Sequence, residues 1–470
     1  MVNKFTTYKL RILFLLAPFL WSQLKAQQID LNNIALMDVN RVYALLDTSS
    51  NLNSYTIRNS SVPFHANLKS WKKVFVNHFS AMSVLQENSN LPLGLNDGAM
   101  IPSVGKQNYY NFQVGIQWGN FTLQIAPEKV TAENFPVQGL GNDFDGSANG
   151  YPGNFWRRYY EISENIIEAP NVHFKTNSDQ NFIGQTSLKY HTKNISFGIS
   201  TENLWWGPGI HYSLVLTNNA PGFYHAFLKT TKPIETKWGK VEGKAIFGNL
   251  LSPEMPPPED SIMRTIWEGG IERKNLSVRR VEGFFISYQP KWIPNLFIGY
   301  SFVSQSYILN RNLIGKKLGF FDAGRPKQQM GAFVFRFLLP KDHAEFYAEL
   351  GQPNQAVSPW RFFGDSVKTG FVVGARKLFP LGKKGAYLKL YSEFTQLQLM
   401  NPLLVIDNNS PYGEPLRNSW YTSTKIRQGY THQRKLLGAS IGPGSNSQTI
   451  GFSYHKGMNK IGFFFERVAN

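Results

Sequence analysis

The chain has 470 residues, a formal net charge of +18 and no cysteine. The absence of cysteine excludes disulfides, thiolate metal or redox sites and a lipid-modified cysteine anchor. Mean hydropathy is −0.29, and beyond the first residues no run of 18 apolar residues occurs, which excludes a helical membrane protein. A strand that alternates apolar and polar residues still looks polar on average. The aromatic content of 14%, with 36 Phe and 21 Tyr, is typical of a membrane-spanning sheet built from strands of this kind.

The N-terminus has the pattern of a secretory signal peptide. Lys4, Lys9 and Arg11 precede the short apolar run Ile12–Trp21, and Ala26 offers a small residue at the cut. The apolar run is too short to span a bilayer, which needs about 20 residues. We therefore predict a signal peptide over residues 1–26 and export of the rest of the chain.

The exported part remains strongly basic. The predicted signal peptide carries four basic residues and no acidic one, so its removal leaves a charge of +14. This charge favours an acidic partner: anionic outer-membrane lipid, lipopolysaccharide phosphates or an acidic polysaccharide. A generally basic surface without a single ligand is the alternative. Nucleic acid is not expected as a partner of an exported protein.

Residues 27–105 differ from the rest and predict a small N-terminal helical region, periplasmic or plug-like. Asp38 can cap a first helix. A second helix is predicted from Leu68 to Phe79. The apolar face of the first helix consists of Val39, Val42, Leu45 and Leu46.

Residues 106–470 show the period-two alternation of β-strands. In Phe333–Phe337 three Phe share one face and Arg336 points to the other; in Leu388–Phe394 the charged Lys389 and Glu393 oppose the apolar residues. Charged residues inside an apolar alternation are typical of a polar lumen opposite a lipid face. Two further segments alternate in the same way: Leu296–Phe302 and Ile450–His455.

About 16 such candidate strands occur, mostly separated by Gly, Pro, Asn and Asp turns, and outer-membrane barrels usually hold an even number between 8 and 26. The pattern predicts an all-β transmembrane barrel. A soluble β-sandwich or propeller is the competing architecture. The absence of a repeat of 40–50 residues weakens the propeller.

Motifs for catalysis or metal binding are weak. Gly438–Gly442 matches G-x-S-x-G formally, but Ser440 lies in a strand-like pattern that runs into a Gly-Pro-Gly turn, without the strand-to-helix turn that a nucleophile needs. Asp143–Gly146 resembles part of a calcium loop without its closing Glu. The 9 His are scattered, and those near the strongest motifs, His211, His225 and His432, are more typical of polar packing groups than of ligands. We predict no enzyme, no cofactor and no metal.

The most distinctive stretch is Glu202–Gly209, in which two Trp run into Gly-Pro-Gly, followed by an apolar strand and an Asn-Asn-Ala segment ending at Phe223. A second block runs from Trp420 to Gln448 and contains Gly-Tyr-Thr, Leu-Gly-Ala and Gly-Pro-Gly-Ser-Asn elements. A third, weaker block is the acidic and aromatic Ala344–Gly351. In this order the three blocks resemble the outer-membrane capsule assembly family typified by Wzi.

The resemblance implies a closed barrel of about 18 antiparallel strands with a helical element on its periplasmic side. Two departures from the family pattern are Arg434, where a small residue is expected, and a C-terminus that ends on Asn470 instead of an aromatic residue. The insertion machinery that recognises barrel C-termini would be a partner during biogenesis.

The resemblance also implies a lectin-like role in the outer membrane of a Gram-negative bacterium: retention of capsular polysaccharide without covalent chemistry. A porin-like diffusion channel for sugars or other solutes is the alternative. Aromatic faces stack on sugars, while amides and Arg give directional hydrogen bonds. The candidate ligand-binding residues are Trp205, Trp206, Asn218, Asn219, Arg427, Tyr430 and His432. The predicted structural positions are Gly207, Pro208, Gly209, Gly442, Pro443 and Gly444.

Overall fold

The structure of the protein is a computed structural model. It describes residues 39–46, 74–89, 94–135, 167–168, 177–253, 278–308, 326–353, 369–382, 385–398, 419–456 and 459–469. The predicted signal peptide, Asp38 and the calcium-like Asp143–Gly146 lie outside the described residues.

Within those ranges the chain is almost entirely β-structure. Helix α1 spans Val39–Leu46, and a turn of 3-10 helix lies at Pro340–Asp342. The strands are β1 Val74–Asn88, β2 Gly105–Trp118, β3 Phe121–Ile125, β4 Glu128–Ala132, β5 Ser178–Phe182, β6 Ser187–His191, β7 Ile195–Ser200, β8 His225–Thr230, β9 Ile234–Glu235, β10 Gly239–Leu250, β11 Arg279–Pro290, β12 Leu296–Tyr307, β13 Lys327–Leu339, β14 Ala344–Pro353, β15 Gly370–Leu381, β16 Ala386–Gln396, β17 Thr431–His432, β18 Lys435–Leu436, β19 Asn446–Lys456 and β20 Asn459–Ala469.

Eighteen of these strands form one sheet, and β17 pairs with β18 in a separate hairpin. The strand pairings are antiparallel and mostly join consecutive strands, from β1–β2 to β19–β20. At three positions in the sheet, two short consecutive strands follow one another along the same neighbouring strand, where a single long strand could lie. These pairs are β3 with β4, β5 with β6, and β8 with β9. The break between β3 and β4 falls at Pro127, which has no N–H for a ladder. The predicted all-β antiparallel fold is confirmed.

The predicted second helix, Leu68 to Phe79, is wrong where the structure describes it. Residues from Val74 onward form β1, which pairs with β2 along its whole length, with a bulge between Val76 and His78. Alternate side chains of β1 face outward, and Val74, Val76 and Leu85 are more than half exposed. The sheet therefore begins inside the segment assigned to the N-terminal region. The bulge interrupts the alternation of period two, and the spacing of apolar residues in this segment therefore resembles that of a helix.

The two faces of the sheet differ as the alternation predicts. Arg336 on β13 and Glu393 on β16 point inward and are almost fully buried, while Phe335 and Phe394 point outward and are 41% and 49% exposed. The four segments with the clearest alternation lie in β12, β13, β16 and β19. Among the described residues, no helix is long and apolar enough to cross a membrane.

The two ends of the sheet also differ. At one end, here called the short-turn end, strands are joined by connections of two to five residues such as 119–120, 192–194 and 291–295. At the other, the long-loop end, the connections are longer, for example 133–177 and 251–278. Outer-membrane barrels place short turns in the periplasm and long loops outside the cell. Of the tryptophans in the described ranges, three are exposed and lie at the short-turn end: Trp118, Trp238 and Trp292.

Helix α1 packs at the short-turn end. Val42 and Leu45 are buried against Phe297, Leu338 and Leu378 at the ends of β12, β13 and β15. The carbonyl oxygen of Leu45 lies 2.5 Å from Nδ1 of His343. Val42, Leu45 and Leu46 of the apolar face that the sequence assigns to this segment therefore contact the sheet.

Two connections at the long-loop end turn inward: residues 201–224, between β7 and β8, and residues 419–445, between β16 and β19. We call them the first and second inner segments. Nearly all residues of the first segment and most residues of the second are buried, and the two segments form one apolar cluster with inward side chains of the sheet, including Phe285 and Val372. The interior of the sheet is thus occupied by its own chain.

Candidate functional site

The first inner segment carries the paired tryptophans. Trp205 and Trp206 are 2% and 1% exposed. The ring of Trp206 lies 6.2 Å from that of Phe285 on β11, and its backbone N–H donates to the carbonyl oxygen of Leu216 at 3.1 Å. Both tryptophans therefore fill the interior, where they are closed to solvent.

The Gly-Pro-Gly turn brings the backbone against the wall of the sheet. Gly207 has φ +148°, and a Cβ there would lie 2.1 Å from the carboxylate of Glu349. A Cβ on Gly209 would lie 1.7 Å from the carbonyl oxygen of Tyr212. A residue with a Cβ at either position would have to displace these neighbours, so glycine permits the close approach of the backbone here.

Two wall carboxylates hold this turn. Glu349 on β14 accepts from the backbone N–H groups of Gly209 at 3.1 Å and Leu214 at 2.8 Å. Glu393 on β16 accepts from three of the four intervening N–H groups, those of Ile210, His211 and Tyr212, at 2.5, 3.0 and 2.8 Å. Buried N–H groups outside a ladder need acceptors, and charged acceptors make the stronger bonds. The carboxylates thus replace the ladder that this irregular segment lacks.

Helix α1 reaches the same turn from the short-turn end. One Nη of Arg41 donates to the carbonyl oxygen of Pro208 at 2.6 Å, and the other lies 2.9 Å from Oε1 of Glu345. Glu345 on β14 is also paired with Arg336, at 2.7 Å, and with Arg376. A single buried carboxylate therefore joins the helix, two strands and, through Arg41, the first inner segment.

The second inner segment packs on the first. The rings of Tyr421 and Tyr430 are stacked, 5.9 Å apart, and the hydroxyl of Tyr421 donates to the carbonyl oxygen of Leu214 at 2.9 Å. Thr217 and Asn219 donate to backbone carbonyls of the second segment, at 2.7 and 2.9 Å. Asn219, one of the two amides predicted to bind ligand, thus joins the two segments.

His432 is a neutral packing group. Its Nδ1 accepts from the backbone N–H of Leu251 at 3.0 Å, and its ring lies edge-on to Phe223. Burial, and secondarily the charge of Arg279, lowers the pKa of His432 to about 3. Two nearby residues are also buried. Arg434, the departure from the family pattern, has φ +65°, and Nζ of Lys435 pairs with Asp97 at 2.7 Å.

The long-loop end of the second segment is the part nearest to solvent. Thr424 and Lys425 are exposed and Arg427 is half-buried. The backbone N–H of Arg427 donates to the hydroxyl of Tyr307 at 3.2 Å, and that hydroxyl donates to Gln428 at 2.6 Å. This arrangement presents two cations and a polar rim at the long-loop end.

Of the seven candidate ligand-binding residues, only Arg427 is not buried; the others are between 0% and 6% exposed. The structure brings all seven into the two inner segments. Ligand contact by the six buried residues stays a prediction. Sequence reasoning missed Glu349 and Arg41; the only available signal for Glu349 was its place in the acidic third block. Gly442 and Gly444 adopt φ values of +85° and +75°, as a tight turn requires.

Ser440 lies in a turn of the second inner segment, not in the strand that the sequence suggested and not in a strand-to-helix elbow. In the part of the chain that the structure describes, no group of three or more His, Asp or Glu could hold a metal ion. His211 contacts the hydroxyl of Tyr391 at 3.1 Å.

An antiparallel sheet with an apolar outer face, a polar inner face and an interior filled by its own connections defines the class of plugged β-barrel-type membrane proteins. Residues 91–252, which include the first inner segment, match the family described as "Capsule assembly protein Wzi". The resemblance found in the sequence is therefore confirmed.

The chain is also similar in fold to a solved structure, described as Wzi, an outer membrane protein involved in group 1 capsule assembly in Escherichia coli and a carbohydrate-binding β-barrel. The TM-score is 0.51 at 12% sequence identity, over 83% of this chain and 69% of that chain. No curated protein matches the sequence significantly.

Proposed function

We propose that the protein is an outer-membrane barrel that binds capsular or other acidic surface polysaccharide without covalent chemistry and helps to assemble or retain it on the cell. The observation that carries this proposal is the filled interior. Two segments joined to each other and to wall carboxylates occupy the space through which a channel would conduct. The family match and the described activity of the similar barrel support the polysaccharide as ligand.

The long-loop end is the place where we expect the polysaccharide to bind. It faces out of the cell, because outer-membrane barrels place their short turns in the periplasm. Lys425 and Arg427 supply positive charge there, and guanidinium groups pair with the carboxylates of acidic sugars. Asn219, through its bond to Leu436, and His432, through its contact with Phe223, support this surface from below by fixing the second inner segment against the first.

The proposal includes the route to the membrane. Residues 1–26 direct export, residues 27–105 contribute the helix that packs at the periplasmic end, and the insertion machinery assembles the sheet. Outer-membrane lipid, including lipopolysaccharide, surrounds the apolar outer face. The charge of the exported chain suits these anionic neighbours.

Binding of the purified protein, folded in detergent, to surface polysaccharide extracted from the host tests the proposal. An unrelated barrel of similar net charge serves as control. Saturable binding that persists at moderate salt is the expected result. Binding that salt reduces to the level of the control would reduce the interaction to general electrostatics and contradict the proposal.

A clean deletion strain gives the second test. It should still synthesise capsule but release it into the medium, and normal surface-bound capsule would contradict the proposal. The diffusion-channel alternative predicts steady single-channel conductance in planar bilayers. The filled interior gives that alternative no support.

A further inference from the structure

A groove of about 520 Å³ opens on the wall of the sheet where β1, β2, β4 and β5 lie side by side. It forms next to the break between β3 and β4, where Pro127 interrupts the strand. Its lining includes outward residues of all four strands, and inward residues such as Met82 and Phe182 form its floor.

The outward residues of the groove form two rows. The upper row is polar and in register across four strands, because Tyr110 pairs with both Ser83 and Lys129, and Lys129 pairs with Asn181. The lower row is apolar and contains Ala81, paired with Phe112, together with Pro127. A polar row above an apolar row matches a lipid whose headgroup lies above its acyl chains.

The position of the rows along the membrane normal agrees with this match. On β2 the outward side chains run from Trp118 at the short-turn end through apolar residues to Tyr110, and then become Asn108 and Lys106. Eight residues of a strand tilted by about 40° rise about 20 Å. The apolar band of such barrels is about 25 Å tall, so Tyr110 and Lys129 lie near the outer leaflet's headgroups.

The charge at the rim selects an anionic headgroup. Nζ of Lys129 lies 3.2 Å from the carboxylate of Asp179, and both side chains are about half exposed. An exposed pair of this kind is weak, so a phosphate can compete with Asp179 for the ammonium group. Tyr110, Ser83 and Asn181 add hydrogen-bond donors at the same level.

We propose that this groove binds a phosphorylated lipid of the outer leaflet, with its acyl chains on the apolar row and a phosphate at Lys129. The inference rests on the proposed function only in placing the outer face of the sheet in an outer membrane. The site lies on the outward wall and is separate from the polysaccharide surface at Arg427.

The test uses the full mature protein in phosphatidylcholine nanodiscs doped with bisphosphorylated lipid A, and native mass spectrometry measures the fraction of protein that retains one lipid A. Lys129→Gln should lower retention about fivefold, since a basic residue near an anionic surface contributes about 1 kcal/mol. The matched control is Lys240→Gln, because Lys240 also lies 3.2 Å from a carboxylate, that of Glu235, and is equally exposed, but at the short-turn end. Equal losses in both variants would overturn the proposal.

Two further variants separate the headgroup from the groove. Asp179→Asn should raise retention because it removes the competing carboxylate. Ala81→Trp should lower it by filling the apolar row, whereas Ala226→Trp, at an outward alanine of β8, should not. Unchanged retention in Asp179→Asn or Ala81→Trp would contradict the site.

The chemistry of the ligand is tested with the same protein. Dephosphorylated lipid A should be retained less than the bisphosphorylated form, and inorganic phosphate should not displace the lipid. Equal retention of both lipids would indicate an apolar groove only, and displacement by phosphate would indicate an anion site only; either would overturn the proposal. Polysaccharide binding measured on Lys129→Gln should be unchanged, so failure of this inference leaves the proposed function standing. Failure of the protein to bind polysaccharide would likewise leave the lipid site standing, because that site needs only the outer-membrane location.

Discussion

Glu349 and Glu393 lie on the same inner wall, two strands apart, and together accept hydrogen bonds from five backbone N–H groups of residues 209–214. Neither carboxylate is exposed by more than 1%. The most distinctive motif in the sequence is therefore held in place through its backbone by two acids from distant parts of the chain.

Glu393→Gln should destabilise the protein by about 3 kcal/mol, because the amide loses the charge and turns an NH2 group toward N–H donors. Urea unfolding in detergent measures this change, and planar bilayers should show bursts of conductance as the first inner segment loosens. The control is Glu235→Gln, which changes an exposed acid at the short-turn end. A midpoint for Glu393→Gln equal to that of the control would contradict the role of the carboxylate.

Gly209→Ala should also destabilise by about 3 kcal/mol, since its Cβ would overlap the carbonyl oxygen of Tyr212 and the backbone must shift. Gly442→Ala is the matched control, because Gly442 has φ +85° and nothing lies within 4 Å of the new Cβ. The left-handed backbone conformation alone should lower the free energy of unfolding of this variant, by about 1 kcal/mol. Thermal unfolding compares the two. Equal losses would mean that close packing at Gly209 is unimportant.

His432 should make stability depend on pH. Its pKa is about 3 in the folded protein against 6.5 for the ordinary side chain, so the unfolded chain takes up the proton first. The free energy of unfolding should then fall as pH drops below 6.5, by roughly 2–3 kcal/mol at pH 4.5. His432→Asn removes this contribution. The difference between the urea midpoints of the unaltered protein and of His432→Asn should therefore shrink as pH falls. A difference that stays constant from pH 7 to pH 4.5 would contradict the prediction.

The double variant Lys425→Gln and Arg427→Gln should weaken polysaccharide binding roughly fivefold at low salt, because both cations lie at the rim, where charge affects the association rate and its salt dependence. The binding assay with extracted polysaccharide measures this change. Lys240→Gln, at the opposite end, should bind as the unaltered protein does. Equal weakening by Lys240→Gln would show that net charge, and not this surface, carries the interaction.

Several features were available in the sequence because they are local. Alternation identified strands such as β12 and β16, and it placed Arg336 and Glu393 on the polar face correctly, because successive side chains of a strand point to opposite faces. The apolar face of α1 was read in the same way. The reading failed at β1, where the bulge after Val76 shifts the period and the segment looks helical.

The family resemblance also came from the sequence, since Trp-Trp-Gly-Pro-Gly is a contiguous motif whose glycines are required by close backbone contacts. Whether Trp206 faces a ligand or the protein interior was decided only by tertiary structure, because burial depends on what surrounds a residue. The same is true of the contact between Arg41 and Pro208, which are 167 positions apart, and of the groove at Lys129, which needs four strands in register. A linear pattern specifies which side of a strand a residue occupies; only the folded sheet specifies what lies opposite it.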